Sequence, residues 1–93
     1  MPNPNSARTP IKLVLDRFPR YVPVIQKLFL KDHGFRSICE DYALAVESLA
    51  RFEGFPDAEF RTEIPEYRSV IRELELEILS LLDNERQQNG DRK

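Results

Sequence analysis

The sequence has few of the residues that build disulfide scaffolds, metal sites and phosphate-binding loops. It contains one cysteine, Cys39, one histidine, His33, and three glycines. A single cysteine cannot form an internal disulfide, which favours a reducing, cytoplasmic environment. The glycines do not form a phosphate-binding loop, because Gly34, Gly54 and Gly90 each fall at a proposed helix end. A disulfide-rich scaffold and a nucleotide-binding loop are therefore excluded.

Long apolar runs are also absent. No stretch approaches the roughly 20 apolar residues that a bilayer-spanning helix needs, and the first six residues, Met-Pro-Asn-Pro-Asn-Ser, contain no apolar signal region. We therefore expect a cytoplasmic protein without membrane contact. The composition predicts disordered tails at residues 1–8 and 88–93 around a single helical domain at residues 9–87. A chain of 93 residues has a marginal core, and small helical domains often gain stability by oligomerising.

The titratable side chains form no recognisable catalytic or metal-binding pattern. His33 and Cys39 are six residues apart, which matches no standard zinc spacing. Cys39 has acidic neighbours, which oppose formation of a reactive thiolate. Three alternate glutamates would point in widely different directions on a helix and cannot converge on one site: Glu73, Glu75 and Glu77. We predict a protein that is not an enzyme and binds no metal or cofactor.

One short pattern occurs twice, at residues 19–30 and 65–76. The two segments share six positions: Pro19/Pro65, Tyr21/Tyr67, Val24/Val70, Ile25/Ile71, Leu28/Leu74 and Leu30/Leu76. Proline suits the first turn of a helix, and the shared tyrosine, Val/Ile and leucine positions fall on one helical face. The repeat therefore predicts two similar amphipathic helices, with a third between them.

Apolar spacing and helix signals give the order of the elements. Thr9-Pro10 predicts a first helix start, and a second helix is expected from about Tyr21–Pro23 to Lys31, with Gly34 as its left-handed end. A heptad-like spacing of 3 and 4 then predicts two longer helices, at residues 35–53 and 65–87. Their predicted core residues are Phe35, Ile38, Tyr42, Leu49, Ile71, Leu74, Ile78 and Leu81. The prediction is an all-α fold, a three-helix arrangement built on an antiparallel helical hairpin.

Charge is divided unevenly along the chain. Residues 1–36 contain seven basic and two acidic residues, a net charge of +5, whereas residues 37–93 have a net charge of −7. The basic segment either docks on the acidic helices or contacts an anionic partner such as nucleic acid. The side chains that would make such contacts are Arg8, Lys12, Arg17 and Arg20. The acidic overall balance and the absence of a recognition-helix motif favour docking.

Three leucines fall outside the apolar faces through which the two long helices are predicted to contact each other. They are Leu44, Leu76 and Leu79. A two-helix hairpin would leave them in water, so either the basic N-terminal segment or a second subunit would cover them. The second interpretation predicts a homodimer with these leucines at the contact. Isolated exposed leucines are also ordinary, and that reading stays open.

A resemblance to a known family is carried by the run Phe18-Pro19-Arg20-Tyr21, followed by Val24-Ile25, Leu28, Phe35-Arg36, Ile38 and Tyr42. In these residues the chain resembles the YdcH-like family of short bacterial proteins, over roughly residues 18–52. The resemblance implies a helical-hairpin interaction protein and no catalytic residues. We therefore expect a small protein that acts by protein–protein interaction or self-assembly. The alternative is a nucleic-acid-associated accessory protein that uses its basic N-terminal segment.

Overall fold

The computed structural model describes residues 9–90. The predicted tail at residues 1–8 lies outside the described residues, and so do residues 91–93 of the predicted tail at residues 88–93. The all-α prediction is confirmed, because the described residues contain helices and no β-strand. They form four α-helices: α1 Pro10–Arg17, α2 Val22–Lys31, α3 His33–Glu53 and α4 Glu63–Gly90. Short 3-10 turns at Pro19–Tyr21 and Ala58–Phe60 lie in the connections. Within this part of the chain, no helix is both long and apolar enough to cross a membrane.

The first segment forms two helices because Pro19 interrupts it. A proline disfavours the α conformation in the residue before it, and Phe18 adopts φ −125° and ψ 66°. The start of α1 is the one that the sequence predicts. Thr9 is its N-cap, and the Thr9 hydroxyl accepts a hydrogen bond of 3.4 Å from the backbone N–H of Lys12.

A single residue, Asp32, connects α2 to α3. Its backbone N–H donates to the carbonyl of Leu28 at 2.8 Å, and its carboxylate accepts a bond of 3.1 Å from the N–H of Phe35. The predicted left-handed helix end at Gly34 is therefore wrong. Gly34 lies in the first turn of α3, and no glycine in the described residues has a positive φ. A Cβ at Gly34 would lie 3.2 Å from the Asp32 carboxylate, so glycine leaves room for the cap.

The two long helices, α3 and α4, contact each other with their chain directions opposed. At one end the rings of Phe52 and Tyr67 stack with their centroids 5.5 Å apart. Further along, the Tyr42 hydroxyl donates to the carboxylate of Glu75 at 2.9 Å. The C-terminal part of α3 thus contacts the N-terminal part of α4. Helix α4 begins two residues before the predicted Pro65 and continues past the predicted Gln87 to Gly90.

The centre of the core lies where all four helices meet. The largest fully buried side chains are Phe35, Ile25, Ile78, Leu82, Val14 and Cys39. Of the eight predicted core residues, three are buried: Phe35, Tyr42 and Ile78. Five are half-buried: Ile38, Leu49, Ile71, Leu74 and Leu81. The difference arises because α1 and α2 pack beside the two long helices, so the buried stripe of α4 turns toward them and includes Leu82.

Two leucines on α4 provide a direct test of this core. Leu82 is fully buried and Leu76 is 61% exposed. We expect Leu82→Ala to lower the free energy of unfolding by about 2–5 kcal/mol, because it leaves a cavity. The matched variant Leu76→Ala should change it by less than about 0.5 kcal/mol. Urea denaturation measures both changes, and equal losses would contradict the described orientation of α4.

Candidate functional site

The basic first segment is held on α4 by ion pairs and hydrogen bonds. The guanidinium of Arg17 donates to both carboxylate oxygens of Glu75, at 3.0 and 3.2 Å, and the Tyr42 hydroxyl donates to the same group. This contact joins α1, α3 and α4. Burial and the bond to Glu75 raise the pKa of Tyr42 to about 12, so its hydroxyl remains a donor.

A second carboxylate, Glu85, holds α2 against α4. The ammonium groups of Lys27 and Lys31 lie 3.1 and 3.2 Å from one of its oxygens. Their hydrogen bonds favour the charged carboxylate and lower the pKa of Glu85. Nearby, the Tyr21 hydroxyl donates to Asp83 at 2.7 Å, and this bond raises the pKa of Tyr21.

The four basic side chains predicted to meet an anionic partner have different surroundings. Arg8 lies outside the described residues. Lys12 pairs with Asp16 one turn along the same helix at 3.0 Å, and both side chains are largely exposed. Arg17 contacts Glu75, and Arg20 is exposed. Lys12 and Arg17 therefore each contact a carboxylate of the chain itself.

An open apolar groove of about 520 Å³ lies between α3 and α4. Its lining residues are Asp41, Leu44, Ala45, Ser48, Tyr67, Val70 and Leu74. Leu44 is 63% exposed and Val70 is 43% exposed, so one large apolar side chain on each helix stands open to solvent. Helices α1 and α2 do not contribute to this lining. Helix α1 contacts Glu75 through Arg17, and α2 contacts Glu85 through Lys27 and Lys31, on other faces of the two long helices.

The edges of the groove are acidic. On α3, Asp41 lines the groove, and Glu40 and Glu47 lie four residues before and three after Leu44. On α4, three exposed glutamates lie four residues before, three after and seven after Val70, and these spacings place them on its side of the helix. They are Glu66, Glu73 and Glu77. None of these six carboxylates forms an ion pair within residues 9–90. Arg51, seven residues after Leu44, is the one basic residue among the positions that share a helix side with Leu44 or Val70 at these spacings of three, four and seven residues.

The three leucines predicted at a self-association contact do not lie together. Leu44 lines the groove. Leu76 is exposed but lies about 200° around α4 from Leu74, on another side of the helix. Leu79 is half-buried and packs against the core. Leu79 is thus partly covered by the core, while Leu44 and Leu76 remain open on separate faces.

Sequence reasoning did not identify the groove, although part of its signal was present. Val70 is a position of the repeated pattern, and Leu44 is a leucine outside the predicted contact faces of the long helices. Leu74, however, is one of the predicted core residues, whereas in the structure it is half-buried and lines the groove. Periodicity groups these residues on one face but does not show that the face extends beyond the helix contact.

The only cysteine and histidine lie apart from the groove lining. Cys39 is fully buried, and burial together with the charge of Glu40 raises the pKa of its thiol to about 12. A thiol in that state is a small apolar core group rather than a nucleophile. His33 is the exposed first residue of α3. Among the described residues, no three His, Cys, Asp or Glu side chains are placed to hold a metal ion.

Comparison with known proteins adds no assignment. No protein-family model, curated protein or solved structure matches this chain. The resemblance to the YdcH-like family stays a prediction.

The lowered pKa of Glu85 leads to a pH-dependent stability. A carboxylate whose pKa is lower in the folded than in the unfolded chain stabilises the fold at pH values above its ordinary pKa of 4.5. That stabilisation is lost as the pH falls through the pKa of the folded chain. We therefore expect Glu85→Gln to lower the melting temperature at pH 7, with the gap to wild type closing below about pH 4. Thermal unfolding of both proteins across pH 3–7 measures this gap. A gap that does not depend on pH would contradict the paired state of Glu85.

Proposed function

We propose that this protein is a non-catalytic protein–protein interaction domain, and that the groove between α3 and α4 receives a helical segment of its partner. The observation that carries the proposal is the open apolar groove, with Leu44 and Val70 exposed on its two sides. Grooves between packed helices bind amphipathic helices through apolar anchors spaced one turn apart. The antiparallel pair of long helices provides a stable base for such a contact.

The way in which the first segment docks supports this proposal. Arg17 is paired with Glu75, and Lys27 and Lys31 with Glu85, so α1 and α2 are held beside these carboxylates. The groove is thereby left uncovered by the described part of the chain. The same pairs weaken the alternative proposal of nucleic-acid binding, because these basic groups already contact carboxylates. Of the basic residues considered for that role, Arg17 contacts α4, Lys12 pairs with Asp16 on its own helix, and Arg20 is exposed.

Site-specific photo-crosslinking in the organism that encodes the protein tests the proposed function. A benzophenone amino acid at Val70 would face the groove, and the same amino acid at exposed Arg72 would lie about 200° around the helix. We expect a discrete protein adduct from position 70 and none, or much less, from position 72.

The groove dependence of that adduct provides its control. Adding Leu44→Glu should remove the adduct formed at position 70, because a charge would replace an apolar anchor of the groove. Adducts of equal yield at positions 70 and 72 would contradict the proposal, and so would an adduct that persists with Leu44→Glu.

Self-association is a separate proposal, carried by the exposed Leu76 on the other side of α4. We expect a dimer at micromolar concentration that Leu76→Glu weakens and Leu44→Glu leaves intact. Sedimentation equilibrium of the three proteins measures this. A wild type that remains monomeric up to about 1 mM would exclude the dimer, since that limit corresponds to a binding free energy of only about −4 kcal/mol.

A further inference from the structure

We propose that the occupant of the groove is a basic amphipathic helix of another protein, which places apolar side chains on the groove floor and Lys or Arg side chains at its acidic edges. This inference rests on the proposed function and specifies the partner's chemistry. It depends on three features: the length of the groove, the charge along its edges, and the positions of the chain's own basic helices.

The groove is long enough for about three turns of a partner helix. On α4 its acidic edge extends from Glu66 to Glu77, which is about 16 Å at 1.5 Å per residue. On α3 the corresponding edge extends from Glu40 to Arg51, which is a similar length. Between the two edges lie Leu44, Ala45, Val70 and Leu74, which would contact apolar residues of a partner at i, i+3 and i+7.

The charge along both edges selects the sign of the partner. Six carboxylates flank the groove against one guanidinium, that of Arg51, and none of the six is paired within the described residues. A helix with basic residues on both flanks would bring opposite charges to both edges at once. An acidic helix of the same apolar pattern would meet like charges on both sides, which opposes binding.

A second copy of the chain fits this groove poorly. A symmetric dimer through the groove would place the six carboxylates of one copy against the same six of the other. The basic helices α1 and α2 do not resolve this conflict, because Arg17, Lys27 and Lys31 already contact α4. Residues 1–8 contain one basic residue, Arg8, and their only large apolar residue is Met1. A partner of opposite charge supplied by another protein is therefore the better fit.

The test uses the full chain and three fluorescent 18-residue peptides. The first has leucines at i, i+3, i+4 and i+7 spacing with lysines elsewhere, the second replaces the lysines by glutamates, and the third scrambles the order of the first. Fluorescence anisotropy measures the affinity of each. We expect the basic amphipathic peptide to bind with a Kd of about 10 μM or lower, at least about tenfold tighter than the other two.

Two pairs of matched variants locate the binding. Leu44→Glu should weaken binding of the basic amphipathic peptide by at least about tenfold, whereas Leu30→Glu, at an exposed leucine of α2 outside the groove lining, should change it by less than about twofold. At the edge, Glu73→Lys should weaken binding about threefold to tenfold. The control Glu59→Lys makes the same charge change outside the groove and should have little effect, and circular dichroism should show that all four variants keep their helical content.

The outcomes separate this inference from the proposed function. Equal binding of the basic and acidic amphipathic peptides, with both sensitive to Leu44→Glu, would overturn the charge assignment and leave the groove as a helix-binding site. Equal binding of the basic amphipathic peptide and its scrambled form, insensitive to Leu44→Glu, would overturn it in favour of non-specific charge attraction. Binding of none of the peptides would also overturn it, and crosslinking at Val70 then decides the proposed function independently.

Discussion

The carboxylate of Glu75 is the point on which the arrangement of the helices depends. It accepts two hydrogen bonds from the guanidinium of Arg17 and one from the hydroxyl of Tyr42, and so contacts one side chain from each of two other helices. A bidentate Arg–carboxylate pair restricts orientation as well as distance. These bonds join α1 to α3 and α4 at one point, and the position of α1 there determines which faces of the long helices it covers.

Apolar burial provides the stability of this placement, and charge provides its orientation. Val14, Ile25 and Leu28 from the first segment are buried in the same core as Ile78 and Leu82. The ion pairs beside them are partly open to solvent, and pairs of that kind contribute only about 0–1 kcal/mol each. Their effect is therefore mainly to match the basic first segment with the carboxylates at positions 75 and 85, rather than with the acidic edges of the groove.

The groove stays open because α1 and α2 pack on another side of the α3–α4 pair. Because α1 packs near Glu75 and α2 near Glu85, the other side of the long-helix pair retains Leu44 and Val70 in contact with solvent. The carboxylates around that edge have no partner among the described residues, which makes the groove apolar on its floor and negative at its sides. The proposal of a basic helical partner joins these two properties in a single explanation.

The sequence by itself determined the all-α class, the Thr9 cap, the second helix near Tyr21–Pro23 and the division of charge between the two parts of the chain. These features depend on neighbours a few residues apart, so local spacing and residue type suffice to predict them. Local signals also misled at one point: α2 ends at Lys31 as predicted, but Gly34 is not its left-handed end, because Gly34 lies in the first turn of α3, which the Asp32 side chain caps.

Only the tertiary structure decided that Leu82 rather than Leu81 occupies the centre of the core. It also decided that Leu44 remains exposed while Leu79 is partly covered, and that the open side of the long helices is a groove. Helical periodicity shows which residues share a face, but it does not show which faces meet. That choice depends on the simultaneous packing of four helices and on contacts such as Arg17–Glu75, whose partners lie 58 residues apart in the chain.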